Sequence, residues 1–466
     1  MITMASSAGR TSRAPRLSFA WSLTWRWVAF ALGALAVTYL MLDRGVAAGL
    51  TTAIGVALLV IALTLTPRIP MAIPLMSMPV LFVVARLGAG NVNLTVSDAM
   101  LAAAFAAALL FAERPFSREL RALLWFNAIY QFATLITVIV NPFVQNSVEF
   151  FHAWLLISGA LVVGWGVGAA GYAKLAFNLM IGAALVIAAS TIATGVLHYV
   201  HGDFKPVFPS WPFAMNKNFA GTAMAFAALI VYVDPPWAMF KRSTRRTLLT
   251  VFAIAILFTQ SRQALIGLIV AIILVVSRRR LFGHSRLVLL MIIPAVILVI
   301  SMVHDQIVSQ NKFNSVFQRL NWLKELYAYW KHEPFVGHGL RYWYVNPDMN
   351  YQPPQGEVEV LVTSGLIGLV AFLVMWIGII VVLWRMDPAY GTLAATAVIS
   401  RLVQAQFDLF WVSAQVSIPF AIAGICLGAA EYAKKHPPGG AGEEALPAAV
   451  DEGAFRPRTG ARTSAG

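Results

Sequence analysis

The residues best placed to do chemistry in this chain are cations set against apolar sequence. Ser261-Arg262-Gln263 lies between the apolar runs 247–259 and 264–277, and Lys217 sits in Asn216-Lys217-Asn218 at the start of another. An ionisable residue in a turn with apolar residues on both sides, as Arg262 is, is expensive unless it is paired, so it marks a functional site by default. Arg319 falls in a segment whose apolar residues, Phe313, Val316, Phe317, Leu320, Leu323, Tyr327 and Trp330, recur at helical spacing. At about 100° per residue, Arg319 lies on the margin of that stripe, with two readings open. It snorkels from an interfacial helix along a membrane surface, or it binds an anion against a half-buried site. Pro334 stops this helix. Gly337 and Gly339 then permit a tight turn around His338, with Arg341 just beyond. Glu357 opens the next apolar run, where a carboxylate can take up a proton. Arg401, Gln404 and Asp408 share one face of a span and read as a polar stripe that neutralises itself. Two turns separate Arg401 from Asp408, so Gln404, water or another helix must connect them.

Metal and cofactor chemistry find no support. There is no His-x-x-x-His or Cys-x-x-Cys spacing, and the single cysteine, Cys426, lies in an apolar run. It excludes an internal disulfide and a thiolate metal site. The sequence therefore predicts no metal and no cofactor.

The elements that position these residues follow from composition. Of 466 residues, 59% are hydrophobic and 12% charged, with a mean hydropathy of +0.74. A soluble domain needs roughly 25% charged residues to cover its surface, so lipid is the solvent that fits. Spanning the hydrocarbon takes about 20 helical residues, and about fourteen apolar runs are present. They lie near 20–42, 46–65, 70–86, 96–112, 122–140, 150–170, 175–197, 216–233, 247–259, 264–277, 286–303, 357–384, 390–407 and 411–431. Two are short, so the expectation is an all-α, polytopic transmembrane helix bundle of about 12–14 spans with one large, partly helical external loop at 304–356. The run at 20–42 follows Arg10, Arg13 and Arg16 but is long for a signal peptide, and reads as an uncleaved first span.

The net charge of +14 comes from short basic clusters between apolar runs. They include Arg114, Arg118 and Arg121; Lys241, Arg242, Arg245 and Arg246; and Arg278, Arg279, Arg280 and Arg286. Alternating through the spans puts these, with Arg68, Lys174, Arg385 and Lys434-Lys435, on the side of the N-terminus. That is topogenic charge rather than a nucleic-acid surface, and it predicts an inner (cytoplasmic) membrane protein with both termini in the cytoplasm. The organisation read from the chain is a cytoplasmic tail at 1–19, a transmembrane domain at 20–433, and a small-residue, Pro/Gly-rich disordered tail at 434–466.

Phe317-Gln318-Arg319-Leu320-Asn321-Trp322, followed by His332-Glu333-Pro334-Phe335-Val336-Gly337-His338-Gly339, resembles the signature of the O-antigen ligase and polymerase family. Glu357-Val358-Glu359-Val360-Leu361-Val362-Thr363-Ser364-Gly365-Leu366-Ile367-Gly368 is similar to the start of that family's next span. Thr259-Gln260-Ser261-Arg262 and Asn216-Lys217-Asn218 resemble its upstream elements, and the likeness covers roughly 210–385. It implies a metal-independent glycosyltransferase that moves a glycan from undecaprenyl diphosphate to an acceptor hydroxyl at the outer face of the membrane. Its expected partners are that donor, a glycan or glycolipid acceptor and membrane lipid, with no nucleic acid. By position in the motifs, Arg262 and Arg319 are the leading diphosphate-binding candidates, with Arg341 and Lys217 behind them. The family's His shortly before the final span is absent from Tyr351-Gln352-Pro353-Pro354-Gln355-Gly356, which leaves Glu357 and His338 as the catalytic candidates. The alternatives are a transporter or flippase for lipid-linked sugar, and a non-catalytic relative.

Overall fold

The computed structural model describes residues 35, 68–86, 94–279, 315–346, 349, 351–353 and 355–437. The predicted spans 20–42, 46–65 and 286–303, the N-terminal tail and most of the C-terminal tail lie outside the described residues. Within them the backbone is helical, apart from turns, loops and one isolated antiparallel bridge between Arg86 and Thr95. The helices are α1 (Ala72–Val80), α2 (Val96–Phe111), α3 (Arg118–Val140), α4 (Val144–Ala169), α5 (Ala173–Val200) and α6 (Lys217–Val233). Then come α7 (Arg242–Thr259), α8 (Arg262–Arg279), α9 (Ser315–Trp330), α10 (Gly356–Arg385), α11 (Pro388–Ala405) and α12 (Ser413–Lys435). Of these, α3, α4, α5, α10 and α12 are long and apolar enough to cross a membrane.

Local chemistry sets the ends. Thr95 and Asp98 form a reciprocal capping box at α2, Ser117 caps α3, Asn216 caps α6, and Asp387 caps α11 with Pro388 in its first turn. The run predicted at 70–86 yields a helix only over Ala72–Val80, because Pro79 stands near its end and the chain leaves helix at Leu81.

Small residues fix the centre of the bundle. Gly164 and Gly168 on α4 face Gly424 and Gly428 on α12, and a Cβ at any of the four would lie 2.3–2.4 Å from a carbonyl oxygen of the facing helix. Without a hydrophobic drive between helices in lipid, such close backbone approach is how they hold together. Gly164 meets Ala421 and Gly168 meets Ile425, so α4 and α12 run parallel.

The two ends of the bundle differ in charge. At one, Arg278 Nη2 donates to the Trp384 and Met386 carbonyls (2.8 and 2.7 Å), Lys435 pairs with Glu113, and Arg385 and Lys434 line a common hollow. At the other end meet the starts of α4 and α6, the α7–α8 hairpin, the loop 331–355 and the α11–α12 turn.

The stripe on α9 is rotated from the one expected. Leu326 is its buried residue, flanked by half-buried Trp322, Tyr329 and Trp330, whereas Tyr327 is 56% exposed. The cause is a small separate core in which Leu326 packs with Tyr342, Met349 and Val362. Helical periodicity marked the element, and the loop that folds back on it chose the face.

Candidate functional site

The family-like motifs of the loop and of α10 meet at a break in a helix. Gly365 has φ 63° and ψ −165°, a conformation open essentially to glycine. The break would strand backbone groups inside the bundle, where each needs a partner. The loop supplies them. His338 N and Gly339 N donate to the Val362 and Thr363 carbonyls (3.1 and 3.0 Å), and Leu366 N and Ile367 N donate to the Pro334 and Phe335 carbonyls (2.9 and 3.2 Å). Thr137 and Asn141 of α3 satisfy the Val336 and Gly337 carbonyls in turn. A Cβ on Gly365 would sit 2.2 Å from the Phe335 carbonyl, and one on Gly337 2.5 Å from that of Thr363. These glycines make a backbone-to-backbone junction.

Charge gathers beside this junction. Gln260 adopts a left-handed conformation that ends α7, so that Arg262 becomes the first residue of α8. Lys217 is the first residue of α6, behind the Asn216 cap. Ser261 Oγ bonds Asn218 Oδ1 at 3.2 Å, and Asn218 Nδ2 donates to Asp408 Oδ2 at 3.0 Å. Lys217 lies within electrostatic range of Arg262, a like charge, and of Asp408. Two helix N-termini, each positive by its dipole, therefore carry two cations side by side.

Asp408 reaches this cluster because α11 ends at Ala405, which corrects the expectation of one helical face shared with Arg401. Arg401 is fully buried. It donates to Gln415 Oε1 (2.8 Å) and to the Leu409 (2.7 Å) and Phe410 carbonyls. Its work is to hold the α11–α12 turn in shape.

That turn also meets Glu357. Gln406 Nε2 donates to Glu357 Oε1 at 2.5 Å, while Glu357 Oε2 is buried with no hydrogen-bond partner among the described residues. The turn at 406–408 thus brings Glu357 to the side of the Lys217–Arg262 cluster.

Arg341 lies on the wall of a cavity of about 300 Å³, together with Arg86, Asn216, Gln352, Trp343 and Ser413. It has φ 60° and points into a buried network. Its Nε pairs with Glu149 Oε2, and its Nη2 lies 3.3 Å from His152 Nδ1. His152 bridges Glu149 (3.1 Å) and Asp98 (3.2 Å), and Ser413 Oγ donates to Asp98 at 2.8 Å. All four ionisable groups are at most 6% exposed. Sequence reasoning missed Asp98, Glu149 and His152, although three ionisable residues at the starts of apolar runs were a legible signal.

His338 is not among the residues lining that cavity. Its ring lies 3.9 Å from Tyr329, and its Nε2 meets the Tyr329 carbonyl at 2.9 Å. Carbonyl oxygen only accepts, so Nε2 carries the hydrogen. Burial holds this imidazole below its usual pKa. Arg319 lies on α9, two turns before Leu326, and its side chain is outside the described residues. Among the described residues no group of His, Cys, Asp and Glu is arranged to hold a metal.

Comparison with known proteins agrees with this end of the molecule. Residues 247–373 match a family model described as O-antigen ligase, a span that takes in α7, α8, α9, the loop and the glycine break of α10. No curated protein matches the chain. The match supports a membrane protein with an O-antigen ligase-like role in polysaccharide biosynthesis, and over residues 247–373 the chain is similar to that family.

Proposed function

We propose that the protein transfers a glycan from an undecaprenyl-diphosphate donor to a hydroxyl of a glycan or glycolipid acceptor. The observation that carries this is the juxtaposition of Lys217 and Arg262 at two helix N-termini, next to the family-matched loop. Asp408 offsets part of the repulsion between them, and an anion bound at the two helix N-termini would offset more; a diphosphate is the anion that the family resemblance implies. As the glycosidic bond breaks, negative charge develops on the diphosphate oxygens, and preorganised cations and helix dipoles stabilise it.

In the same step the acceptor hydroxyl attacks the anomeric carbon and loses its proton. Glu357 Oε2, buried and without a hydrogen-bond partner among the described residues, is the group we assign to take that proton. Undecaprenyl diphosphate leaves with the bonding electrons. His338, tied to Tyr329, shapes the loop and is the second candidate for the base. Arg319 joins the diphosphate contacts by its place in the motif, and Arg341, already paired with Glu149, contributes less net charge. The site lies at the end of the bundle opposite the basic hollow. By the positive-inside rule that end faces away from the cytoplasm of an inner-membrane protein.

The test is purified protein with radiolabelled undecaprenyl-diphosphate glycan. Label moving to the acceptor, with free undecaprenyl diphosphate released, is the expected result. Label crossing the bilayer without transfer identifies a transporter, and neither outcome identifies a non-catalytic relative.

A further inference from the structure

Resting on that reading, we infer that the cavity beside Arg341 is a saccharide subsite that takes an uncharged sugar ring of the acceptor glycan. Its volume of about 300 Å³ is at the small end for ligand pockets. Trp343, Tyr344 and Trp411 give it aromatic walls, flat apolar surfaces suited to the C–H face of a pyranose ring.

Its polar groups are held in fixed directions. Gln352 Nε2 donates to Glu359 Oε1 at 2.7 Å, and Glu359 is 1% exposed. With the amide nitrogen turned to the carboxylate, Gln352 Oε1 is left as an acceptor for a sugar hydroxyl. Ser413 gives its proton to Asp98, so its oxygen also accepts. Asn216 Oδ1 caps the backbone of α6, which leaves its amide hydrogens as donors. Fixed donors and acceptors between aromatic faces are what distinguish one sugar from another.

Charge separates this cavity from the diphosphate cluster. Behind the Arg341 guanidinium stand the Glu149 and Asp98 carboxylates with His152 between them. The Arg341 cation is compensated from within. Arg86, the other cation on its wall, is exposed, so the cavity suits a neutral ring, with the leaving group held on the other side of residues 216–219. Glu359 acts through Gln352 and is a positioning residue.

The test is saturation-transfer NMR on the full chain in nanodiscs with three methyl hexopyranosides, gluco, galacto and manno. Undecaprenyl diphosphate binding is measured in parallel. The expected result is saturation of ring C–H protons in at least one glycoside, abolished by Trp343→Ala and by Gln352→Leu, with the affinity for undecaprenyl diphosphate unchanged. Glu359→Gln should weaken glycoside binding about tenfold, the loss of one ordered hydrogen bond, and Glu359→Asp should restore part of it. No saturation in the wild type, or saturation that persists in both cavity variants, overturns the subsite. If undecaprenyl diphosphate binds while no glycoside does, this inference falls and the proposed transfer stands. If the wild type binds neither, both fall.

Discussion

Two neighbouring parts of this molecule share family-like sequence but use it differently. At the junction of the loop with α10, Gly337 and Gly365 let one backbone lie on another, and four hydrogen bonds join the broken helix to the loop. At the α6 and α8 starts, Lys217 and Arg262 bring charge to the same end of the bundle. The first is architecture and the second is the proposed chemistry. A motif can therefore be present for either reason, and only the surroundings of its residues tell which.

Substitutions should separate the two regions. The largest effect is expected for Lys217→Glu combined with Arg262→Glu. A hydrogen bond to a charged group contributes about 1.5–3 kcal/mol, so losing two should slow transfer about 10³-fold. The melting temperature should move little, because neither side chain lies within the hydrophobic core. Gly365→Ala should do the reverse. A left-handed backbone and a Cβ 2.2 Å from the Phe335 carbonyl predict about 3 kcal/mol or more of destabilisation. Thermal unfolding in detergent would show it, with activity per folded molecule nearly unchanged. If Gly365→Ala folds normally but is inactive, the division between the regions is wrong.

Glu357→Gln sharpens the comparison inside the charged region. It keeps the size of the side chain and removes the base, so kcat should fall about 10²-fold or more with donor affinity retained. Unchanged transfer would move the base elsewhere, with His338 next in line.

The smallest effect is expected for His338→Gln. Burial lowers the imidazole pKa in the folded protein, so the unfolded chain binds the proton more readily. Folded stability should therefore fall as the pH drops through about 6.5 and continue to fall until the folded pKa is passed. His338→Gln should flatten that acid-side loss, as read from melting temperatures between pH 7 and pH 5.

The helical bundle was legible in the sequence because hydropathy and helix length obey a physical limit set by the bilayer. Arg262 stood out because a cation among apolar residues is rare and costly, and Lys217 by its place in a family-like motif. Four features were not legible. Which face of α9 is buried depended on the loop at 331–355, so Leu326 rather than Tyr327 packs inside. The end of α11 at Ala405 sent Asp408 to Asn218 instead of along the face of Arg401. The pairing in the Asp98–His152–Glu149–Arg341 network joins positions up to 243 residues apart, between Asp98 and Arg341, and no local pattern encodes such a contact, although ionisable residues at the starts of apolar runs did mark its members. Glu359, two residues from the predicted Glu357, was hidden for the same reason. Its burial comes from packing rather than from its place in the motif.

The central claim is that Lys217 and Arg262 hold the diphosphate of the lipid donor. It is tested most directly by equilibrium binding of undecaprenyl diphosphate, without glycan, to the wild-type protein and to the Lys217→Gln, Arg262→Gln double variant at fixed ionic strength. The account predicts binding about 10²-fold weaker or more in the variant, with both proteins equally folded. Equal affinity in the two would contradict it and place the diphosphate site elsewhere in the molecule.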